Sequence, residues 1–369
     1  MFCNLKNVAC ALFFRGSIRN FHGTAGLSNI LIYKGGCLKV VLLEVSHWHT
    51  PLYLDALERL PDVTVTAVSD ATGSRGPALA QRFGAQLYDH WETLLENEEA
   101  DFAFAFGPHD ELYAMGEALI EQKVPFAMEK PCGLTQHEVL DLYQRTEANG
   151  LFVAVPLIWR HSELLNRLKQ EARQSEAKWR TLAFRFNAGP PGRYLANSCS
   201  WMLEPKRSGG GCTINLAPHF VDLVEEISGE AIRSVSAVMY RDSLLTAVEI
   251  GSLMTLVTES GCICTIETGY NYPANTPEQR EYSFSMSTDQ FYARSTADGL
   301  RLVDAAGQAS DLHMSLNSDV YYDNFVTDIL APDRDVAYTG AGLATMHRVM
   351  RIIEAAYESD RLGGAPITL

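Results

Sequence analysis

Lys130, between Glu129 and Pro131, follows an apolar run at 125–128 that reads as a buried strand. A lysine there faces the crevice beyond the strand ends, where open α/β sheets bind their ligands. Pro131 biases Lys130 towards extended backbone, so no helix starts at once. Partial desolvation at such a mouth draws a lysine's pKa down towards the range of proton transfer. An isolated Glu-Lys-Pro reads equally as a surface lysine, so its surroundings decide. A second set, Asn215 and His219, is four residues apart and shares one face if helical. Histidine titrates near neutrality without help, and a lysinium polarises an oxygen and favours an alkoxide. Together they suit removal of a hydroxyl proton, a step that a well-placed base speeds by roughly 10²–10⁴-fold. The bland alternative is a plain glycine loop at 209–211, with His219 meeting Asp222 or Glu225 at the surface.

The elements that must hold these residues alternate over 38–158. Strands are predicted at 39–45, 63–70, 85–88, 101–106, 125–129 and 152–158, with helices at 50–60, 77–83, 91–97, 111–122 and 136–149. That order means right-handed crossovers and a doubly wound parallel sheet. After Trp159 the pattern changes to alternating strands at 179–187, 233–241, 246–257, 262–270, 281–287, 290–295 and 300–303. Apolar-in, polar-out alternation predicts an antiparallel sheet with one side facing solvent or a partner. A Gly/Pro/Ser-rich loop at 188–210 precedes a helix at 213–228, and helices at 319–330 and 341–358 finish the chain. The fold class is α/β followed by α+β.

The turn after the first strand is where a dinucleotide fold places Gly-x-Gly-x-x-Gly. Here the window is Glu44-Val-Ser46-His47-Trp48-His49, without any of the three glycines. Ser46 is a small substitute where backbone must approach a diphosphate. Glu44 would repel that group unless it points into the fold or His47 and His49 supply donors; the histidines read equally as simple turn residues. Asp70, 24 residues after Ser46, closes strand two where an acid accepts ribose hydroxyls. It favours NAD over NADP, Arg75 keeping NADP open, and its alternative role is a helix cap.

The 369 residues suffice for two domains, and 47% hydrophobic with 20% charged residues is ordinary for a soluble protein. The net charge is −15, and residues 1–43 hold five basic residues and no acid, so the rest is more acidic still. This excludes nucleic acid as a partner. Eight cysteines without a CxxC pair argue against a disulfide framework or metal site and for a reducing, cytoplasmic setting. Residues 1–37 read as a poorly ordered extension, from an upstream start codon or an organellar presequence. Their apolar core at 8–14 is too short to span a bilayer, so no membrane partner is expected.

The ordered motifs resemble the glucose–fructose oxidoreductase/inositol dehydrogenase (Gfo/Idh/MocA) family through essentially all of 38–369. They are Asp70, Phe83-Gly84, Asp89-x-Trp91-x-x-Leu94-Leu95, Phe106-Gly107-Pro108 after strand four, and Glu129-Lys130-Pro131. Further on come Gly209-Gly-Gly-x-x-x-Asn215-x-x-x-His219-x-x-Asp222 and the ending Glu354 to Ile367. The resemblance implies a Rossmann NAD(P)-binding domain at 38–157 and an α+β substrate and oligomerisation domain at 158–339 with a large open, mainly antiparallel sheet. The C-terminal helix and strand, 340–369, would pack back on the Rossmann domain. It implies hydride transfer between nicotinamide and a carbinol carbon of a sugar, cyclitol or related polyol, with Lys130 and His219 as acid/base pair. Cofactor contacts would come from Ser46, His47, Trp48, Asp70, Gly107, Pro108, Glu129 and Lys130. Arg160, Trp201, Asn215 and His219 would border the substrate, and the open sheet would form a homodimer or homotetramer. The family usually has aspartate at position 215; asparagine keeps hydrogen bonding but loses charge. Two other functions stay open: an NAD-dependent glycoside-cleaving or eliminating enzyme with transient redox, and a non-catalytic sensor or scaffold without the Gly-rich turn.

Overall fold

The computed structural model describes residues 37–277 and 279–369; the N-terminal extension up to residue 36 lies outside the described residues. The first part alternates β1 (Leu38–Leu43), α1 (Pro51–Arg59), β2 (Val63–Ser69), α2 (Gly76–Phe83), β3 (Gln86–Tyr88) and α3 (Trp91–Asn97). It continues with β4 (Phe102–Ala105), α4 (His109–Glu121), β5 (Phe126–Met128), α5 (Gln136–Asn149) and β6 (Val153–Ala154). All six strands pair in parallel, in the order β3-β2-β1-β4-β5-β6. β1 and β4 are buried on both faces, as their unbroken apolar runs require. The order reverses between β1 and β4, which puts the ligand crevice at their carboxyl ends.

Strand six is shorter than the sequence predicts. Pro156 has no N–H to offer a neighbour, and residues 158–161 turn into a single 3₁₀ turn. The stretch after it, read without any element, forms α6 (Glu163–Gln174), capped by the Ser162 hydroxyl accepting from Leu165 N–H at 3.3 Å. A narrow stripe, Leu164, Leu165 and Leu168, is buried on it, and the rest of the helix is largely polar.

The second part begins with β7 (Trp179–Ala188). Short helices α7 (Gly192–Ala196) and α8 (Pro205–Ser208) follow within the segment read as loop, then the long α9 (Cys212–Ser228). Strands β8 (Ile232–Arg241), β9 (Glu249–Thr258), β10 (Ile263–Gly269), β11 (Arg280–Thr288), β12 (Phe291–Thr296), β13 (Gly299–Asp304) and β14 (Ala309–His313) come next. Helices α10 (Tyr322–Ile329), α11 (Arg334–Ala337) and α12 (Leu343–Arg361) and strand β15 (Ile367–Thr368) complete the chain. The nine strands lie in the order β14-β13-β12-β11-β7-β10-β9-β8-β15. Every pair is antiparallel except β7 with β10. α9 covers one face of this sheet, packing on β7, β9 and β10. The uncovered face exposes Val238, Leu253, Ile263 and Tyr292. α12 packs against α5, α9 and β8, whereas β15 pairs with β8 in the second sheet and not with the first. Among the described residues no helix is long and apolar enough to cross a membrane.

Candidate active site

The turn from β1 into α1 keeps the backbone shape of a glycine-rich loop without its glycines. Glu44 adopts φ 54°, the left-handed conformation that usually calls for glycine. Its side chain is buried and folds towards the end of β2, where Oε2 accepts the Ala71 N–H at 3.0 Å and Oε1 the Ser69 hydroxyl at 3.3 Å. Burial, reinforced by Glu111 and Asp70, pushes its pKa up to about 7.

Asp70 is also buried, and its bonds all go to its own loop. Oδ2 accepts the amides of Arg75 and Gly76, each at 2.7 Å, and Oδ1 accepts the amide and hydroxyl of Thr72. Burial raises this carboxyl, but those four bonds outweigh it and hold it below its ordinary value. Asp70 therefore fixes the entry to α2. Gly107 and Pro108 join β4 to α4; a Cβ on Gly107 would meet the end of the Met115 side chain, at 2.6 Å from Cε.

Around the ends of β1, β4 and β5 a polar cluster is sealed from solvent. Lys130 is 1% exposed, and its peptide bond to Pro131 is cis. Its Nζ donates to Asn215 Oδ1 on α9 at 2.6 Å. Burial draws the Lys130 pKa down to about 8, against the opposing pull of Glu129. Glu129 accepts the Tyr53 hydroxyl at 2.5 Å and lies 3.2 Å from His49 Nδ1. Burial works to raise that carboxyl, and the charges of His49, His47 and Lys130 overcome it and hold it far below its ordinary value. Burial and then Lys130 push His219 down to about 3, and His109 likewise. His47 is also held well below its usual value by burial.

Asn215 and His219 are aimed by the start of α9. Gly211 comes so close to β9 that an added Cβ would sit 2.0 Å from Glu249 O. The Glu249 carboxylate accepts the amides of Gly211 and Thr213 and the Tyr357 hydroxyl, locking the helix end in place. One turn on, Asn215 Nδ2 donates to the hydroxyls of Tyr194 and Tyr270, at 2.8 and 2.9 Å.

The segment 192–208 lies as a strap over the β1–α1 turn. Trp201 stacks on His47 (5.6 Å between ring centroids) and meets His109 edge-on (4.9 Å). Cys199 Sγ reaches Ser46 O at 3.3 Å, the Arg193 guanidinium lies 5.2 Å over Trp48, and Ser208 O contacts His109 Nδ1 at 2.8 Å. Ser46, His47, Trp48, Glu129, Lys130, Trp201, Asn215 and His219 thus belong to one neighbourhood. Arg160 does not join them: its guanidinium is committed to Asp222, at 2.6–3.1 Å, and to Glu226. His109, Tyr53, Tyr194 and Tyr270 enter the site beyond the sequence-derived set. His109 had a signal, following Pro108 at a strand end; Tyr194, in an irregular segment, had none.

Five buried atoms of this cluster have no hydrogen-bond partner: His47 Nε2, His109 Nε2, Glu129 Oε2, Trp201 Nε1 and His219 Nδ1. His109 Nδ1 must donate to the Ser208 carbonyl, so Nε2 bears the lone pair. His47 Nδ1 accepts the His49 amide at 3.1 Å, so its Nε2 bears the proton. The cleft thus offers donors (His47, Trp201) beside acceptors (His109, Glu129), a pattern that suits hydroxyl and amide groups. His47, His49 and Glu129 also bring ligand-type atoms within 4.8 Å of one another. The proton on His47 Nε2 leaves no lone pair there for a metal, and the three form a hydrogen-bonded and ion-paired set.

Comparison with known proteins agrees with this architecture. Residues 47–157 match the model of an oxidoreductase family with an NAD-binding Rossmann fold (GFO/IDH/MocA), and 178–288 match the GFO/IDH/MocA C-terminal domain. No curated protein matches the chain in sequence. Among solved structures, an inositol dehydrogenase homolog from Azotobacter vinelandii, complexed with NAD⁺, is similar at TM-score 0.78 and 14% identity, over 93% of this chain and 100% of that one. A levoglucosan dehydrogenase in complex with NADH and levoglucosan has TM-score 0.77 and 15% identity, over 90% and 99%. Aldose–aldose oxidoreductase from Caulobacter crescentus, complexed with glycerol, has TM-score 0.73 and 15% identity, over 90% and 100%.

Proposed function

Because the chain belongs to the Gfo/Idh/MocA oxidoreductases, with an NAD-binding Rossmann fold, we propose that it carries hydride between NAD and a carbinol carbon of a sugar, cyclitol or related polyol. The observation that carries this reading is the 2.6 Å contact of Lys130 Nζ with Asn215 Oδ1, ringed by buried polar atoms without partners. Similar folds crystallised with levoglucosan, and with glycerol, support the polyol class.

The residues present fit the nicotinamide half of the cofactor. A carboxamide and ribose hydroxyls both donate and accept, and the orphaned atoms of His47, His109, Glu129 and Trp201 offer the complementary set. At the diphosphate end, Glu44 turns its carboxyl towards Ala71 and Ser69, and its raised pKa leaves it substantially uncharged below neutrality. Bound NAD supplies the hydride acceptor. The chain's own groups handle the proton: His219, pushed down to about 3, is a free base at neutral pH, and Lys130, drawn down to about 8, becomes one as pH rises through that value. Asn215 positions the lysine, and Trp201 closes the cleft against water. The exposed apolar face of the second sheet supports assembly as a homo-oligomer.

The test is calorimetric titration with NAD(H) and NADP(H), followed by assay of NADH formation on a panel of cyclitols and pyranoses. Binding and polyol-dependent NADH formation are expected. Absence of binding by all four nucleotides would overturn the reading.

A further inference from the structure

We propose that Lys130 accepts the proton of the substrate hydroxyl as its free amine, and that Asn215, clamped by Tyr194 and Tyr270, makes that amine accessible by withholding the negative charge that would fix a proton on it. This deepens the oxidoreductase reading above and rests on it.

Both Nδ2 protons of Asn215 are used by the two tyrosine oxygens, and Oδ1 meets Nζ. Among the described residues Nζ meets this neutral amide oxygen and no carboxylate. Once deprotonated, the amine carries a lone pair and is a base within the cleft. The neighbouring carboxylate, Glu129, accepts the Tyr53 hydroxyl on Oε1 and lies 3.2 Å from His49 Nδ1, and among the described residues it forms no ion pair with Lys130. An aspartate at 215, usual in the resembling family, would meet Nζ as an ion pair and hold the charge on it.

The other groups that act on Lys130 do not undo this. Glu129 and Cys132 favour the charged form, Arg193 disfavours it, and burial outweighs them all. His47, His109 and His219 are each neutral at pH 7, since burial above all holds them down. No carboxylate steadies a proton on His219 among the described residues: its Nδ1 has no partner, and Asp222, three residues along, is bound to Arg160. His219 therefore orients the hydroxyl, and Lys130 takes its proton. The O–H bond breaks and an N–H bond forms at Nζ. The electron pair of the carbinol C–H bond passes as hydride to the oxidised nicotinamide supplied by NAD, and a carbonyl product remains. Tyr194 and Tyr270 are positioning residues that act through Asn215.

The experiment pairs a titration with a rate profile. In full-length protein carrying ¹³C-labelled lysine, with Lys130→Arg to assign the signal, the Lys130 resonance is expected to titrate near 8. Retention of the ordinary lysine value of about 10.4 would overturn the proposal. Asn215→Asp is expected to move that midpoint up by at least one unit and, with it, the acidic limb of kcat/KM against pH. At neutral pH kcat/KM should fall about tenfold. A midpoint that stays put or drops in Asn215→Asp would also overturn it. The resonance is read without turnover, so a failure to oxidise any polyol would sink the redox reading while still deciding the state of Lys130.

Discussion

Glu44 and Ala71 are joined by a 3.0 Å bond from the Ala71 amide to Glu44 Oε2, which holds a buried carboxyl just beyond the end of β1. Burial lifts this carboxyl to about pH 7, so below that pH it is neutral and no longer repels an anion. NAD⁺ is predicted to bind several-fold more tightly at pH 6 than at pH 8, and Glu44→Gln to flatten that dependence. Calorimetric titration at the two pH values checks it; equal affinity for the natural protein would refute it.

The same group predicts a stability trend of definite sign. Its folded pKa lies above the unfolded carboxylate value, so between the two the native state binds more protons and stability falls as pH rises. Glu44→Gln removes this penalty and should raise unfolding free energy at pH 8 by about 2–3 kcal/mol, with little gain at pH 4. Urea denaturation at both pH values measures the difference.

Arg160→Ala would strand Asp222, which is 0% exposed, without its two-pronged partner. Loss of one partner from a buried ion pair costs about 3–5 kcal/mol, so the variant should unfold at markedly lower denaturant. Replacing Arg160 and Asp222 together with apolar residues should recover part of that loss, because no bare charge remains.

Trp201 sits between two histidines of the cleft, so its emission should report occupancy. NADH is expected to quench the fluorescence of the natural protein, and Trp201→Phe should lose most of that change while still binding. If the variant quenches as strongly, the reporting indole lies elsewhere.

Much of this was legible from residue order. The parallel order of the first sheet follows from alternating apolar strands and helices, and Lys130 was identifiable because a strand end followed by proline fixes where its side chain must start. Asp70 shows where such reading stops. An acid after strand two serves a ribose or a helix entry equally well, and only the folded loop shows Thr72, Arg75 and Gly76 supplying its donors. Arg160 looked like a pocket cation because it follows strand six; its partner Asp222 comes 62 residues later, beyond any local pattern. Tyr194 and Tyr270 were invisible as amide clamps, since nothing in a sequence marks two phenols from distant segments meeting one side chain.

Lys130 and Asn215 are 85 positions apart in the chain, and neither sheet holds both. A nascent polypeptide with its first sheet formed and its second still open carries an ordinary, water-bathed lysinium, chemically silent. The desolvated environment of this nitrogen needs both halves in place, so recovered turnover after refolding gauges native assembly more strictly than recovered helix content does.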